Sequence, residues 1–236
     1  MNDRDSLLEL FEIVTQEAEQ KQLTMTAAAL PFIRSHFNMG CDVYYRRRLS
    51  VCRMLIDLHL PVSAELLDIL LAVTLNHSLP GDLIPEDHER TLEALTADEP
   101  RVGEILAALR YTGADYYERL VENRYALLIR LTERGVLVES LYDWPAQDAR
   151  RYVRETRAHF FTMCIYAKEH YREFLGPVSI LMEKTRNLTG ANEALLKRYE
   201  EADDALNSEI LSLREENAAI RAMIHEISGD QGRGAN

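Results

Sequence analysis

A heptad repeat near the C-terminus constrains the fold of this 236-residue chain more than any other feature of its sequence. With Leu196 at position a, the a and d positions keep their three-four spacing as far as Ile227. A repeat of this kind winds a helix around a partner helix, because the stripe would drift around a straight helix. Asp203, at an a position, is expected to weaken the first heptads. The sequence predicts a coiled-coil helix over 190–228, with dimer contacts from Leu206, Ile210, Leu213, Asn217, Ile220, Ile224 and Ile227.

Polar residues in and beside the stripe predict how two copies pair. Asn217 occupies an a position, where its amide pairs best with its own copy across a parallel dimer axis. Glu209 and Glu216 occupy g positions, and Arg214 and Arg221 occupy the e positions five residues on. Such g-to-e pairs between chains favour two parallel strands, so a parallel homodimer is predicted. The alternative is that this helix folds back onto its own globular domain through the same apolar stripe.

The residues before the repeat are also predicted to be helical. The chain has only 10 glycines and 7 prolines, and 47% of its residues are hydrophobic. Leu, Ala, Glu and Arg are frequent, and they lose little rotamer freedom in a helix. The predicted fold class is all-α: a helical bundle over 1–189, the coiled-coil helix, and a disordered tail over 229–236. Within the bundle, helices are predicted over 24–37, 42–58, 63–76, 101–111, 123–140, 146–170 and from 177 to 188.

One of these helices is apolar on every side. The segment from Leu66 to Leu75 follows Ser63, which is a suitable N-cap residue. A helix that is hydrophobic all round is buried in the core. Helix 63–76 is therefore predicted to lie at the centre of the bundle.

The charge and the apolar pattern exclude several classes of partner. A net charge of −12 repels phosphate backbones at long range, so nucleic acid and anionic membranes are not expected as main partners. No apolar run approaches the ~18 residues that span a bilayer, and a signal-peptide core is absent, so a cytoplasmic protein is expected. A small anionic ligand in a local basic pocket is still compatible with this charge.

The three cysteines point away from a disulfide scaffold or a zinc site. Cys41, Cys52 and Cys164 have no CxxC spacing and sit in apolar or helical contexts. Buried, reduced thiols are predicted.

Three stretches together resemble the histidine–aspartate (HD) phosphohydrolase superfamily. They are RRLSVC at 47–52, AVTLNHSLPGD at 72–82 and LIRLTER at 128–134. In order and context they are similar to the histidine before an apolar helix, the HDxxED loop and the later LADR stretch of RelA/SpoT-type hydrolase domains. RET at 154–156 and IYA at 165–167 resemble a further family segment. The resemblance covers roughly residues 5–188 and implies an HD-like helical bundle.

The resemblance implies an activity and a metal site. Such domains use manganese to cleave the 3′ pyrophosphate from guanosine tetra- and pentaphosphate. His77 and Asp82 match the motif, and Glu133 stands where the family has an aspartate. The ligands that remain are therefore His77 and Glu133. The alternative role of His77 is a cap at the end of a buried helix, and that of Glu133 is a surface ion pair with Arg134.

Other positions of the motif have lost the residues that the chemistry needs. Arg47 stands in place of the first histidine, and an arginine cannot deprotonate to become a metal ligand. Ser78 and Gly81 replace the aspartate and the glutamate, and a neutral hydroxyl at Ser78 is a poor substitute for a carboxylate that activates water. No catalytic metal or other cofactor is expected, although manganese would be required if the chain were active.

Arginines could still bind an anionic nucleotide. Arg46, Arg47 and Arg154 are the candidates, because guanidinium groups form charge-assisted forks with phosphate. The alternative for the run Arg46–Arg48 is that at least one of its side chains is only solvated, and the alternative for Arg154 is an ion pair with a neighbouring carboxylate. Three functions follow: a catalytically degenerate HD-type module for nucleotide binding, regulation or assembly; an active pyrophosphohydrolase with a rebuilt site; and a purely structural helical scaffold.

Overall fold

The computed structural model describes residues 3–37, 42–76, 94, 99–110 and 113–230, and these residues form helices and short connections without a strand. The all-α fold class is therefore confirmed. The elements are α1 (Asp3–Lys21), α2 (Thr24–Ser35), α3 (Asp42–Asp57), α4 (Ala64–Asn76), α5 (Pro100–Arg110), α6 (Tyr116–Glu122), α7 (Arg124–Glu139), α8 (Ala146–Glu155), a π-helical turn (Thr156–Phe160), α9 (Phe161–His170) and α10 (Leu175–Asp230), with 3-10 turns at Leu141–Asp143 and Arg172–Phe174.

Two compact units make up the chain, an N-terminal unit (Met1–Gly190) and a C-terminal unit (Ala191–Asn236). The predicted end of a helix at Leu188 is wrong, because α10 continues without interruption from Leu175 to Asp230. A single glycine inside a helix costs only about 1 kcal/mol relative to alanine, so Gly190 does not end this one. The predicted disordered tail includes residues 231–236, which lie outside the described residues.

Helix α4 is the buried centre of the N-terminal unit, as predicted. Every residue from Leu67 to Asn76 is buried, and α4 packs against α2, α3, α5 and α7. The hydroxyl of Ser63 accepts a hydrogen bond from the backbone N–H of Leu66 at 3.2 Å and so caps the helix. An all-apolar sequence and a local cap are enough to define this helix.

One polar side chain in α4 fixes the start of another helix. Asp68 is 4% exposed, and its carboxylate accepts hydrogen bonds from the backbone N–H groups of Met25 at 2.9 Å and Thr26 at 2.8 Å. The hydroxyl groups of Thr24 and Thr26 also donate to it. The N-cap residue of α2 is Leu23, whose side chain cannot accept a bond. Asp68 therefore supplies the missing cap from a different helix.

Two of the three cysteines are described, and both are free and buried. Burial raises the pKa of Cys52, and it raises the pKa of Cys164 to about 12. Both therefore stay protonated thiols at neutral pH, in agreement with the prediction. Cys41 lies outside the described residues.

Within the described ranges, none of the helices combines the length and the apolarity that crossing a bilayer would require.

Replacing Asp68 should show how much this cap between helices contributes. Asp68→Ala leaves buried N–H and O–H groups of α2 without an acceptor, so we expect the free energy of unfolding to fall by about 2–4 kcal/mol. Asp57→Ala is the control, because Asp57 pairs with Arg53 on the surface and should contribute less than about 1 kcal/mol. Urea unfolding followed by circular dichroism measures both. Equal effects of the two substitutions would contradict the role of Asp68.

Candidate functional site

The strongest electrostatic feature of the N-terminal unit is a buried cluster around Glu133, a residue that the sequence motif singles out. Glu133 in α7 and Arg48 in α3 are each 1% exposed. Arg48 Nη1 donates to Glu133 Oε1 at 2.7 Å, and Arg130 Nη1 donates to Glu133 Oε2 at 2.9 Å. Both carboxylate oxygens thus accept short, charge-assisted hydrogen bonds from guanidinium groups. We call Arg48, Tyr116, Arg130 and Glu133 the Glu133 cluster.

Arg130 connects this carboxylate to two more helices. Its Nε donates to the hydroxyl oxygen of Tyr116 in α6 at 2.7 Å, and its Nη2 donates to the carbonyl oxygen of Leu109 in α5 at 3.0 Å. Burial works against the charged form of Arg130, but Glu133 and Tyr116 outweigh it, so its pKa is raised. Burial also raises the pKa of Tyr116. The cluster therefore contains a charged guanidinium beside a neutral phenol at physiological pH.

The arrangement of the cluster limits its chemistry. A metal ion bound to Glu133 would lie next to the positive charges of Arg48 and Arg130, which disfavours a cation there. Arginine stays protonated in proteins, so Arg48 and Arg130 do not act as general bases. Among the described residues, no three His, Cys, Asp or Glu side chains are grouped so that they could hold a metal ion. The described geometry is that of an internal ion-pair cluster.

The side chains of the run Arg46–Arg48 lie in different environments, because consecutive residues of a helix point in different directions. Arg48 is buried in the Glu133 cluster, whereas Arg46 and Arg47 are half-buried. The Arg47 guanidinium lies over the ring of Trp144, 5.7 Å from its centroid. The arginine of this run that bonds to Glu133 is therefore Arg48, not Arg47.

Arg154, the third arginine proposed to bind a ligand, is exposed on α8. Within the described part of the chain it forms no hydrogen bond or ion pair, so the structure does not join it to Arg46 and Arg47. Another arginine, Arg134, lies beside the aromatic side chains of this region. The Arg134 guanidinium lies 4.0 Å from the ring centroid of Tyr152 and 3.6 Å from the carboxylate of Glu155.

The other motif residues lie outside the described residues. These are His77, Ser78, Gly81 and Asp82, so their roles as ligand or catalytic residues stay predictions. Sequence reasoning did not identify Arg48, Arg130 or Tyr116 as parts of one cluster. The spacing of Arg130 three residues before Glu133 is the one local signal, since residues three apart share a helix face.

Removing the carboxylate should destabilise the fold strongly. Glu133→Ala leaves two guanidinium groups near each other in the interior without their counter-charge, so we expect a loss of about 3–5 kcal/mol in the free energy of unfolding. Glu155→Ala is the matched control, because Glu155 is 45% exposed and pairs at 3.6 Å, and its loss should cost less than about 1 kcal/mol. Urea unfolding of both variants gives the comparison. A Glu133→Ala protein as stable as the control would refute a structural role for the cluster.

Comparisons of the chain with protein-family models, with curated proteins and with solved structures find no match. A functional proposal therefore depends on the residues and the geometry described above.

Proposed function

We propose that this chain is a catalytically degenerate HD-type protein that serves as a self-associating assembly module. The N-terminal unit would supply the helical domain, and the C-terminal unit would bring two copies together as a parallel dimer. Two observations support the proposal: the bonding of a buried carboxylate in the N-terminal unit and the exposure of an apolar stripe in the C-terminal unit.

In the N-terminal unit, the support comes from Glu133. Its two oxygens are bonded to Arg48 and Arg130, and its side chain is 1% exposed. A buried carboxylate whose two oxygens both bond to arginines is better suited to holding helices together than to binding a metal ion. Ser78 and Gly81 stand where the family has an aspartate and a glutamate, and together with the buried Glu133 they favour a degenerate site over a rebuilt catalytic one.

In the C-terminal unit, the exposure of the heptad positions is the observation that carries the proposal. Large apolar side chains at these positions remain open to solvent in the single chain: Tyr199 is 56% exposed, Leu206 55%, Ile210 38% and Leu213 49%. A row of exposed apolar residues along one helix face indicates an interaction surface. Because the row follows a coiled-coil repeat, the partner it fits is another helix with the same repeat.

The charges that flank the stripe favour a second copy of this chain in the parallel orientation. In a parallel pair, Glu209 at g faces Arg214 at e of the other copy. In an antiparallel pair, g positions face g positions, so Glu209 would meet Glu216 and like charges would repel. Asn217 is exposed, and its Nδ2 donates to the carbonyl oxygen of Leu213 at 2.8 Å. In a parallel dimer this amide can pair with its own copy instead.

Self-association can be tested in the full chain with two neighbouring substitutions. Ile210→Asp places a charge at an a position, so we expect the dimer to dissociate to monomers at micromolar concentration. Leu211→Asp is the matched control, because Leu211 is 58% exposed at a b position outside the stripe. It should leave the dimer intact. Sedimentation equilibrium distinguishes the outcomes, and a monomeric parent chain would exclude the assembly role.

Nucleotide binding is a second candidate function, favoured by a group of arginines and aromatic rings between α3 and α8. Arg47 lies over Trp144, the rings of Trp144 and Tyr152 are 5.3 Å apart, and Arg134 lies over Tyr152. Guanidinium groups bind phosphate, and aromatic faces stack on nucleobases. A guanosine polyphosphate or another anionic nucleotide is the ligand that the resemblance suggests.

A thermal-shift measurement tests this second function. A nucleotide that binds only the folded state raises the unfolding temperature, so guanosine tetraphosphate should raise it without manganese. Arg47→Gln should abolish the increase, whereas Arg53→Gln should retain it, because Arg53 pairs with Asp57 on the surface. No shift with the parent chain, or equal shifts with both variants, would exclude this site.

A further inference from the structure

One heptad position does not fit a dimer of identical chains. Asp203 occupies an a position, and its side chain is exposed in the single chain. In a parallel dimer, equivalent a residues meet across the axis, so each Asp203 carboxylate would face its own copy. Asn217, the other polar a residue, can pair with its copy because an amide both donates and accepts. Two carboxylates can only repel, unless one of them carries a proton.

We infer that the Asp203 pair makes self-association depend on pH, with the dimer becoming tighter as the solution is acidified. This inference rests on the parallel dimer of the proposed function. In that dimer, the protonation of Asp203 would regulate how tightly the two copies associate.

No neighbouring positive charge in the dimer would neutralise Asp203. The flanking positions on the partner helix are Ala202 at g and Asn207 at e, and both are uncharged. The adjacent d positions of both helices hold Tyr199 and Leu206, so the only titratable neighbour there is the Tyr199 phenol.

The nearest basic residues lie outside the interface. Lys197 and Arg198 occupy b and c positions, which face away from the partner helix. Lys197 is 3.7 Å from Glu201, an f residue of its own helix. The residue at the preceding e position, Glu200, is also acidic. The nearest interface positions therefore supply no positive charge that would offset the repulsion between the two Asp203 carboxylates.

The sign of the effect follows from proton linkage. In separate chains each Asp203 side chain is exposed to water and far from its copy. In the dimer, the two carboxylates are close, so the state in which one holds a proton is favoured. The dimer then binds more protons than two monomers, and a fall in pH shifts the equilibrium toward the dimer. The effect disappears at a pH high enough to deprotonate both forms.

The test measures the dimer dissociation constant of full-length protein by sedimentation equilibrium at about pH 7.5 and about pH 5. The parent dimer should tighten by roughly tenfold or more at the lower pH. Asp203→Asn should form a dimer at least about tenfold tighter than the parent at the higher pH, with little pH dependence. Asp204→Asn is the matched control: it removes the same charge at the adjacent b position, and it should behave like the parent.

Each other outcome has a distinct meaning. A parent dimer whose dissociation constant does not change with pH, and which Asp203→Asn does not tighten, overturns the inference and leaves the dimer in place. Equal tightening by Asp203→Asn and Asp204→Asn attributes the effect to general charge repulsion and also overturns it. A parent and an Asp203→Asn protein that are both monomeric at both pH values overturn the proposed assembly function itself.

Discussion

The buried contact between Arg48 and Glu133 links the two helices, α3 and α7, that flank the central helix α4. Arg130 extends this contact to α5 and α6 through Leu109 and Tyr116. A buried carboxylate between two guanidinium groups is stable only while all partners stay in place, because each charge left alone in the interior is expensive. Contacts centred on one glutamate therefore link four helices, α3, α5, α6 and α7.

The main features of the fold could be predicted because they are determined locally. The all-round apolarity of Leu66 to Leu75 identifies the central helix, and the hydroxyl of Ser63 marks its start. The role of Asp68 could not be predicted from the sequence. Its hydrogen-bond partners in α2 lie 42 to 44 residues away, and only the folded structure brings them to its carboxylate. The continuity of α10 past Gly190 was missed for a different reason, since one glycine is a weak helix breaker.

The candidate site was predicted in part. Glu133 was predicted as a remnant of a metal site, and that role stays a prediction; the structure shows it as a buried partner of Arg48. A linear pattern does not show which of three consecutive arginines points into the core. Adjacent helical residues point in very different directions, and tertiary packing places Arg48, not Arg47, against Glu133. Arg134 and Trp144 were not singled out as members of a basic aromatic group, because their relationship arises from packing between separate elements. The roles of His77 and Asp82 stay predictions.

The central claim is that two copies of this chain associate in parallel through the C-terminal unit, and disulfide trapping tests it most directly. Leu206→Cys places a thiol at a d position and Ile224→Cys places one at an a position, near opposite ends of the repeat. In a parallel dimer each variant faces its own copy, so each alone should form a disulfide-linked dimer under mild oxidation, which non-reducing electrophoresis detects. The parent chain should not form one. If neither variant forms the disulfide-linked dimer alone and only their mixture does, the helices are antiparallel and the account is contradicted.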